Sequence, residues 1–148
     1  MSKIKHIAIA TQDADATAKF YTEVFGLKEI AKLNSDNASG YYLSDGNINV
    51  AVLDFKNEQV AGPEYGTGFS GIHHIGFEVE SLEEIAEKLQ KAGSNTRDDI
   101  NQALGVGMGG AAHANVEVKY SGPNGEIIDC LLYTSDAADE GLGVDLCG

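Results

Sequence analysis

The feature that most constrains this chain is an internal repeat, a histidine-bearing strand followed by a helix, present twice. Lys5-His6-Ile7-Ala8-Ile9-Ala10 corresponds to His73-His74-Ile75-Gly76-Phe77-Glu78, each with the two-residue alternation of a strand. In the first copy Asp13 is placed to cap a helix whose apolar positions Ala14, Ala18, Tyr21 and Phe25 recur at helical spacing, and Gly26 ends it. In the second, Ser81 and Glu84 form a capping box, Leu82, Ile85, Leu89 and Ala92 make the apolar face, and Gly93 ends it. From strand histidine to terminating glycine is 20 residues in one copy and 19 in the other, which makes the two segments copies of one module.

Strand-like runs follow each helix: Leu27 to Leu33, Tyr41 to Leu43 and Asn47 to Leu53 in the first copy, and Val116 to Tyr120 and Glu126 to Leu132 in the second. Ser44-Asp45-Gly46-Asn47 and Ser121-Gly122-Pro123-Asn124-Gly125 have hairpin chemistry. The expected plan is βαβββ twice, with module one over 4–55, a polar linker over 56–70 and module two over 71–132. The long loop from Asn95 to Ala114, rich in glycine, is expected to be a surface loop or a lid over a site.

With 148 residues and 43% hydrophobic content, one globular domain is the expectation. A net charge of -13 disfavours nucleic acid and anionic membranes as partners. No apolar run approaches the roughly 20 residues needed to span a bilayer, and no secretory segment follows Met1, so a cytoplasmic location is expected. Cys130 and Cys147 have no partner His or Cys at a metal-binding spacing, and neither is read as a catalytic thiol. From Cys130 onward core periodicity is lost, and the first eleven residues of this stretch resemble a translated sequencing adapter. Residues 133–148 are therefore expected to be a disordered or artefactual tail.

The Ile4-Lys5-His6-Ile7 strand, a helix containing Phe20-Tyr21 and closing on Phe25-Gly26-Leu27, the Gly71-Ile72-His73-His74-Ile75 strand, and Gly122-Pro123-Asn124-Gly125-Glu126-Ile127-Ile128-Asp129 form an ordered set. Together, over Ile4 to Asp129, they resemble the vicinal-oxygen-chelate superfamily, which includes glyoxalase I, methylmalonyl-CoA epimerase, extradiol ring-cleaving dioxygenases and fosfomycin or bleomycin resistance proteins. The resemblance implies an α+β fold in which two βαβββ modules form a cupped mixed sheet with helices outside. It also implies one divalent metal (Ni, Zn, Co, Mn or Fe), a small-molecule substrate and a homodimer.

Carried over by position, His6 and His74 are the first-strand metal ligands of the two modules, and Asp129 is the last-strand carboxylate of module two. The fourth position falls at or near Asn49. Imidazole and carboxylate suit borderline divalent metals, and a facial set of two His and one carboxylate leaves positions open for a chelating substrate. His73 is expected to point to the opposite face from His74 and to be structural.

For glyoxalase- or epimerase-type isomerisation or lyase chemistry, Asp129 is both ligand and base, unless Glu117 or Glu126 turns inward to supply a second carboxylate. An extradiol dioxygenase using ferrous iron is the alternative, in which the order His113, Tyr120, Pro123, Gly125, Asp129 makes His113 an acid-base group and Tyr120 a hydrogen-bond donor to substrate. A third reading is a non-catalytic protein that sequesters a small molecule.

Overall fold

The alternating segment around His6 forms β1 (Lys3–Ala10), and its copy around His74 forms β5 (Gly71–Val79). They lie side by side, antiparallel, at the centre of an open sheet. The computed structural model describes residues 1–105 and 117–132; of the loop expected from Asn95 to Ala114 the first part is described and contains a short helix, whereas the rest, with His113, and the expected tail over 133–148 lie outside the described residues.

In module one, Asp13 accepts a hydrogen bond from the Ala16 amide and caps α1 (Ala14–Phe25), and Gly26 ends the helix at φ 75°, a left-handed conformation open to glycine at little cost. The strands β2 (Lys28–Asn34), β3 (Ala38–Ser44) and β4 (Asn49–Phe55) follow as an antiparallel meander, and β4 returns to pair parallel with β1. In module two, Ser81 caps α3 (Leu82–Lys91), and the chain later forms β6 (Val118–Ser121) and β7 (Ile127–Leu132), with β7 parallel to β5. The strand order is β2-β3-β4-β1-β5-β7-β6, the mixed α+β sheet expected.

Module two departs from the plan. Among the described residues it is βααββ, because α4 (Asp98–Ala103) stands where module one has β2. Only the bridge between Thr96 and Tyr120 retains strand character there. The reason is local: Asp98 and Asp99 in the first turn favour a helix start, and Ile100 and Asn101 turn inward and are buried. The Asn101 amide then acts in place of a strand, its Nδ2 donating to the Lys119 carbonyl at 3.2 Å and its Oδ1 accepting from the Lys119 amide at 2.9 Å. The linker likewise contains a short helix, α2 (Glu58–Ala61), capped by Asn57.

One face of the sheet carries α1 over Leu43 and Val52, and α3 over Val79, Val118, Tyr120 and Cys130. On the other, inner face Ala8, Ala10, Tyr42, Ala51, Leu53 and Phe55 pack with Val60 and Ala61 of α2. Among the described residues no helix is long and apolar enough to cross a membrane.

Arg97 ties α4 to the segment after α2. Its guanidinium donates to Glu64 at 2.7 and 2.9 Å and to Asp99 at 3.0 and 3.2 Å. Hydrogen bonding from Arg97 lowers both carboxyl pKa values. Depressed carboxylates contribute stability above their ordinary range and lose it as the pH falls through their folded values. The melting temperature of the wild-type chain is therefore expected to drop more steeply below about pH 4 than that of R97M, read by thermal melts across pH.

Candidate metal centre

The registers align Asn49, His6, Gly76, Asp129 and Lys119 in one row across β4, β1, β5, β7 and β6. His74 lies two residues from Gly76 on β5, opposite Ala8 of β1. The seam thus has an approximate twofold symmetry in which each histidine faces a small residue, His6 facing Gly76 and His74 facing Ala8. The vacant Cβ position of Gly76 is where the His6 imidazole lies, so a methyl there would overlap the ring. By crossing Gly76, His6 reaches Asp129 on the far side.

His6, His74 and Asp129 are all buried, and each offers one ligand atom within 4.8 Å of the others. Asp129 Oδ2 is shared: His6 Nε2 is 3.2 Å from it and His74 Nε2 3.1 Å. Two donors bound at about 2.1 Å on adjacent corners of one ion sit about 3.0 Å apart, so these separations fit a shared cation. The sequence-predicted triad is assembled.

Charges around the triad are unusual for a protein interior. Lys119 is 2% exposed, and its Nζ is 2.9 Å from Asp129 Oδ1. Glu117 is buried, with Oε1 3.4 Å from His6 Nδ1. Burial would lower the His6 pKa, but Glu117 and then Asp129 outweigh it and raise it. For His74 burial prevails, helped by Lys119 and His6, and its pKa falls to about 4. Burial pushes Asp129 up, yet the opposing pull of His74 and Lys119 leaves it well below the ordinary carboxylate range.

Several expectations change. His73 does not point away from His74. A register shift between Ala8 and Ile9 makes β5 bulge at His73, which suspends alternation and buries both rings. The two Nδ1 atoms are 2.8 Å apart, and His73 Nε2 is 2.6 Å from the Ala61 carbonyl.

Tyr120 is not brought to the triad. It packs with Val79, Val118 and Cys130 beneath α3, on the side of β6 opposite Lys119. Of the two alternative carboxylates, Glu117 is inward, whereas Glu126 is exposed and accepts from the Asn124 amide. The module-one position equivalent to Asp129 is Ala51, level with Ala8 as Asp129 is level with Gly76. Asn49 is instead level with His6, and its buried Oδ1 has no hydrogen-bond partner among the described residues. Burial and then Asp129 push the Cys130 thiol up to about 12, which disfavours the thiolate.

The profile of the Glyoxalase/Bleomycin resistance protein/Dioxygenase superfamily matches residues 3–126. The chain belongs to this superfamily. Its vicinal-oxygen-chelate character agrees with two relatives. A lactoylglutathione lyase of Arabidopsis thaliana is 28% identical over 106 residues, 69% of this chain and 36% of that protein. The mitochondrial methylmalonyl-CoA epimerase of Homo sapiens is 26% identical over 95 residues, 62% of this chain and 54% of that protein. The chain thus spans about a third to a half of the length of these relatives.

Among solved structures, a hypothetical protein from Bacillus halodurans superposes with a TM-score of 0.65 at 20% identity, covering 92% of this chain and 97% of that one. A Streptomyces coelicolor methylmalonyl-CoA epimerase variant in complex with 2-nitronate-propionyl-CoA gives 0.62 at 21% identity, covering 90% and 95%. These likenesses carry the vicinal-oxygen-chelate fold. The profile match ends three residues before Asp129, so the third member of the triad rests on geometry.

Proposed function

We propose that this vicinal-oxygen-chelate chain is a metal-dependent lyase or isomerase acting on a small molecule that chelates through neighbouring oxygens, with His6, His74 and Asp129 as ligands to one divalent cation. The observation that carries the reading is the approach of His74 Nε2 to Asp129 Oδ2 at 3.1 Å, both buried, without the geometry of a hydrogen bond. A lone pair facing a carboxylate oxygen at that distance is repulsive, and a cation between them removes the repulsion. Asn49, level with His6 in the register and with a buried Oδ1 that has no hydrogen-bond partner among the described residues, is the proposed weaker fourth ligand.

A bound divalent cation supplies Lewis acidity to a substrate carbonyl, easing removal of a neighbouring proton. The chain's own residues divide the remaining work. Asp129 is held ionised by Lys119 and the imidazoles, which favours ligation and makes it a poor base. We assign the moving proton to Glu117, a buried carboxylate whose Oε1 is 3.4 Å from His6 Nδ1, rather than to Asp129. The ring-cleaving reading loses support, since Tyr120 is on the helix-covered side. Exposed Ile4, Ile72 and Ile75 along the β1–β5 seam support pairing of two copies.

The test loads the protein with nickel, zinc, cobalt, manganese or ferrous iron, and compares isomerisation of a hemithioacetal, α-proton exchange in an acyl thioester and oxygen uptake on catechols. Isomerisation or exchange is expected, lost in E117Q while metal binding persists. Oxygen uptake with ferrous iron alone overturns the lyase or isomerase reading. Absence of bound metal favours a sequestering protein.

A further inference from the structure

We infer that His73 is a positioning residue that fixes the tautomer of His74, so that His74 Nε2 presents a lone pair to the metal site. The inference rests on the metal-site reading above but is argued from a separate set of contacts. The Ala61 carbonyl can only accept, so at 2.6 Å His73 Nε2 must carry the proton and donate it. In a neutral imidazole that leaves His73 Nδ1 an acceptor. The 2.8 Å contact between the two Nδ1 atoms needs one proton between them, and only His74 can supply it. His74 is then the Nδ1–H tautomer, with its lone pair on Nε2, the nitrogen 3.1 Å from Asp129.

The surroundings keep this relay in one state. His73 is 3% exposed and packs against the rings of Phe55 and Tyr65, at centroid distances of 4.6 and 4.8 Å, with Phe69 at 6.5 Å. Water therefore has little access to exchange for either partner. The bulge at His73 is what permits the contact, since regular alternation would send adjacent rings to opposite faces. Outer partners of this kind orient ligating imidazoles and raise their basicity.

Two measurements test the inference. In the metal-free wild-type chain, long-range nitrogen–proton NMR correlations of the histidine rings should show His74 as the Nδ1–H tautomer. An Nε2–H tautomer there overturns the relay, whether or not the protein binds metal. In the second, cobalt(II) affinity is measured by chelator competition. H73F keeps the ring packing but offers no acceptor, and should bind about 10–100-fold more weakly than wild type. H73N, whose side-chain oxygen can take the place of Nδ1, should recover most of that loss. Wild-type affinity in folded H73F overturns the relay while leaving the metal site intact. Failure of the wild-type chain to bind any ion removes the functional reading, and the NMR measurement then still decides the tautomer.

Discussion

D129N is expected to abolish tight binding of a divalent ion and to destabilise the metal-free chain by about 3 kcal/mol, although it changes the shape of the side chain hardly at all. Asp129 is fully buried, with one oxygen between the two imidazoles and the other 2.9 Å from Lys119. The variant removes the carboxylate of the proposed ligand triad, so the affinity loss should exceed the about 10–100-fold typical of an outer partner. It also removes the carboxylate that lies 2.9 Å from the buried Lys119 ammonium, and breaking a buried pair from one side costs about 3–5 kcal/mol. The lower figure applies because an amide N–H at this position can satisfy His74 Nε2, which faces Asp129 without a hydrogen bond. Chemical denaturation of the metal-free proteins reads the stability term, and chelator competition reads the affinity. The D129N/K119M pair should cost less than the sum of the single changes, since the two groups interact directly.

G76A should damage the site without replacing any member of the triad. Its methyl would occupy the space of the His6 ring, so either the ring or β5 must shift. Overpacking of this kind costs about 1–3 kcal/mol, an amount that leaves a domain of this size folded. The functional effect is larger, because displacement of a reacting group by about 1 Å costs about 10²-fold in rate. The symmetric position supplies the control. Ala8 faces His74 as Gly76 faces His6, and A8G opens space there instead of filling it. A8G should lose about 1 kcal/mol and keep its metal affinity. Equal metal affinity and rate in G76A and wild type would mean that the crossing of His6 over Gly76 is not what places its nitrogen.

The ordered repeat made the two histidine-bearing strands and the helices after them legible in the sequence, because period-two alternation and helix capping are local signals. Asp129 was legible only through its place in a family pattern, and the structure supplies the geometry that brings it to both imidazoles. Lys119 was missed. In Glu117-Val118-Lys119-Tyr120 the alternation of charged and apolar residues reads as a solvated strand face, and nothing local reveals that the charged side turns inward. Alternation along the same strand places Tyr120 under α3, contrary to its assignment to the site.

His73 departs from its expected direction for a related reason. Its expected direction assumed a regular strand, and a bulge is set by the register between two strands distant in sequence. The helix that stands in place of a strand over 98–103 has a local cause that acidic residues at 98 and 99 announce, but the surrogate pairing of Asn101 with Lys119 is a tertiary event. Gly76 did leave a trace: His-Ile-Gly in one copy stands against His-Ile-Ala in the other, and the difference marks the strand that another residue's ring must cross.

The most direct test of the account is a cobalt(II) titration of the metal-free wild-type chain, followed by visible absorption and compared with H6A and H74A. One tight equivalent per chain is predicted for the wild type, with d–d bands of a nitrogen and oxygen site, and no tight equivalent for either variant. Tight binding that persists in folded H74A, or a wild-type chain that takes up no ion, would contradict the three-residue metal centre.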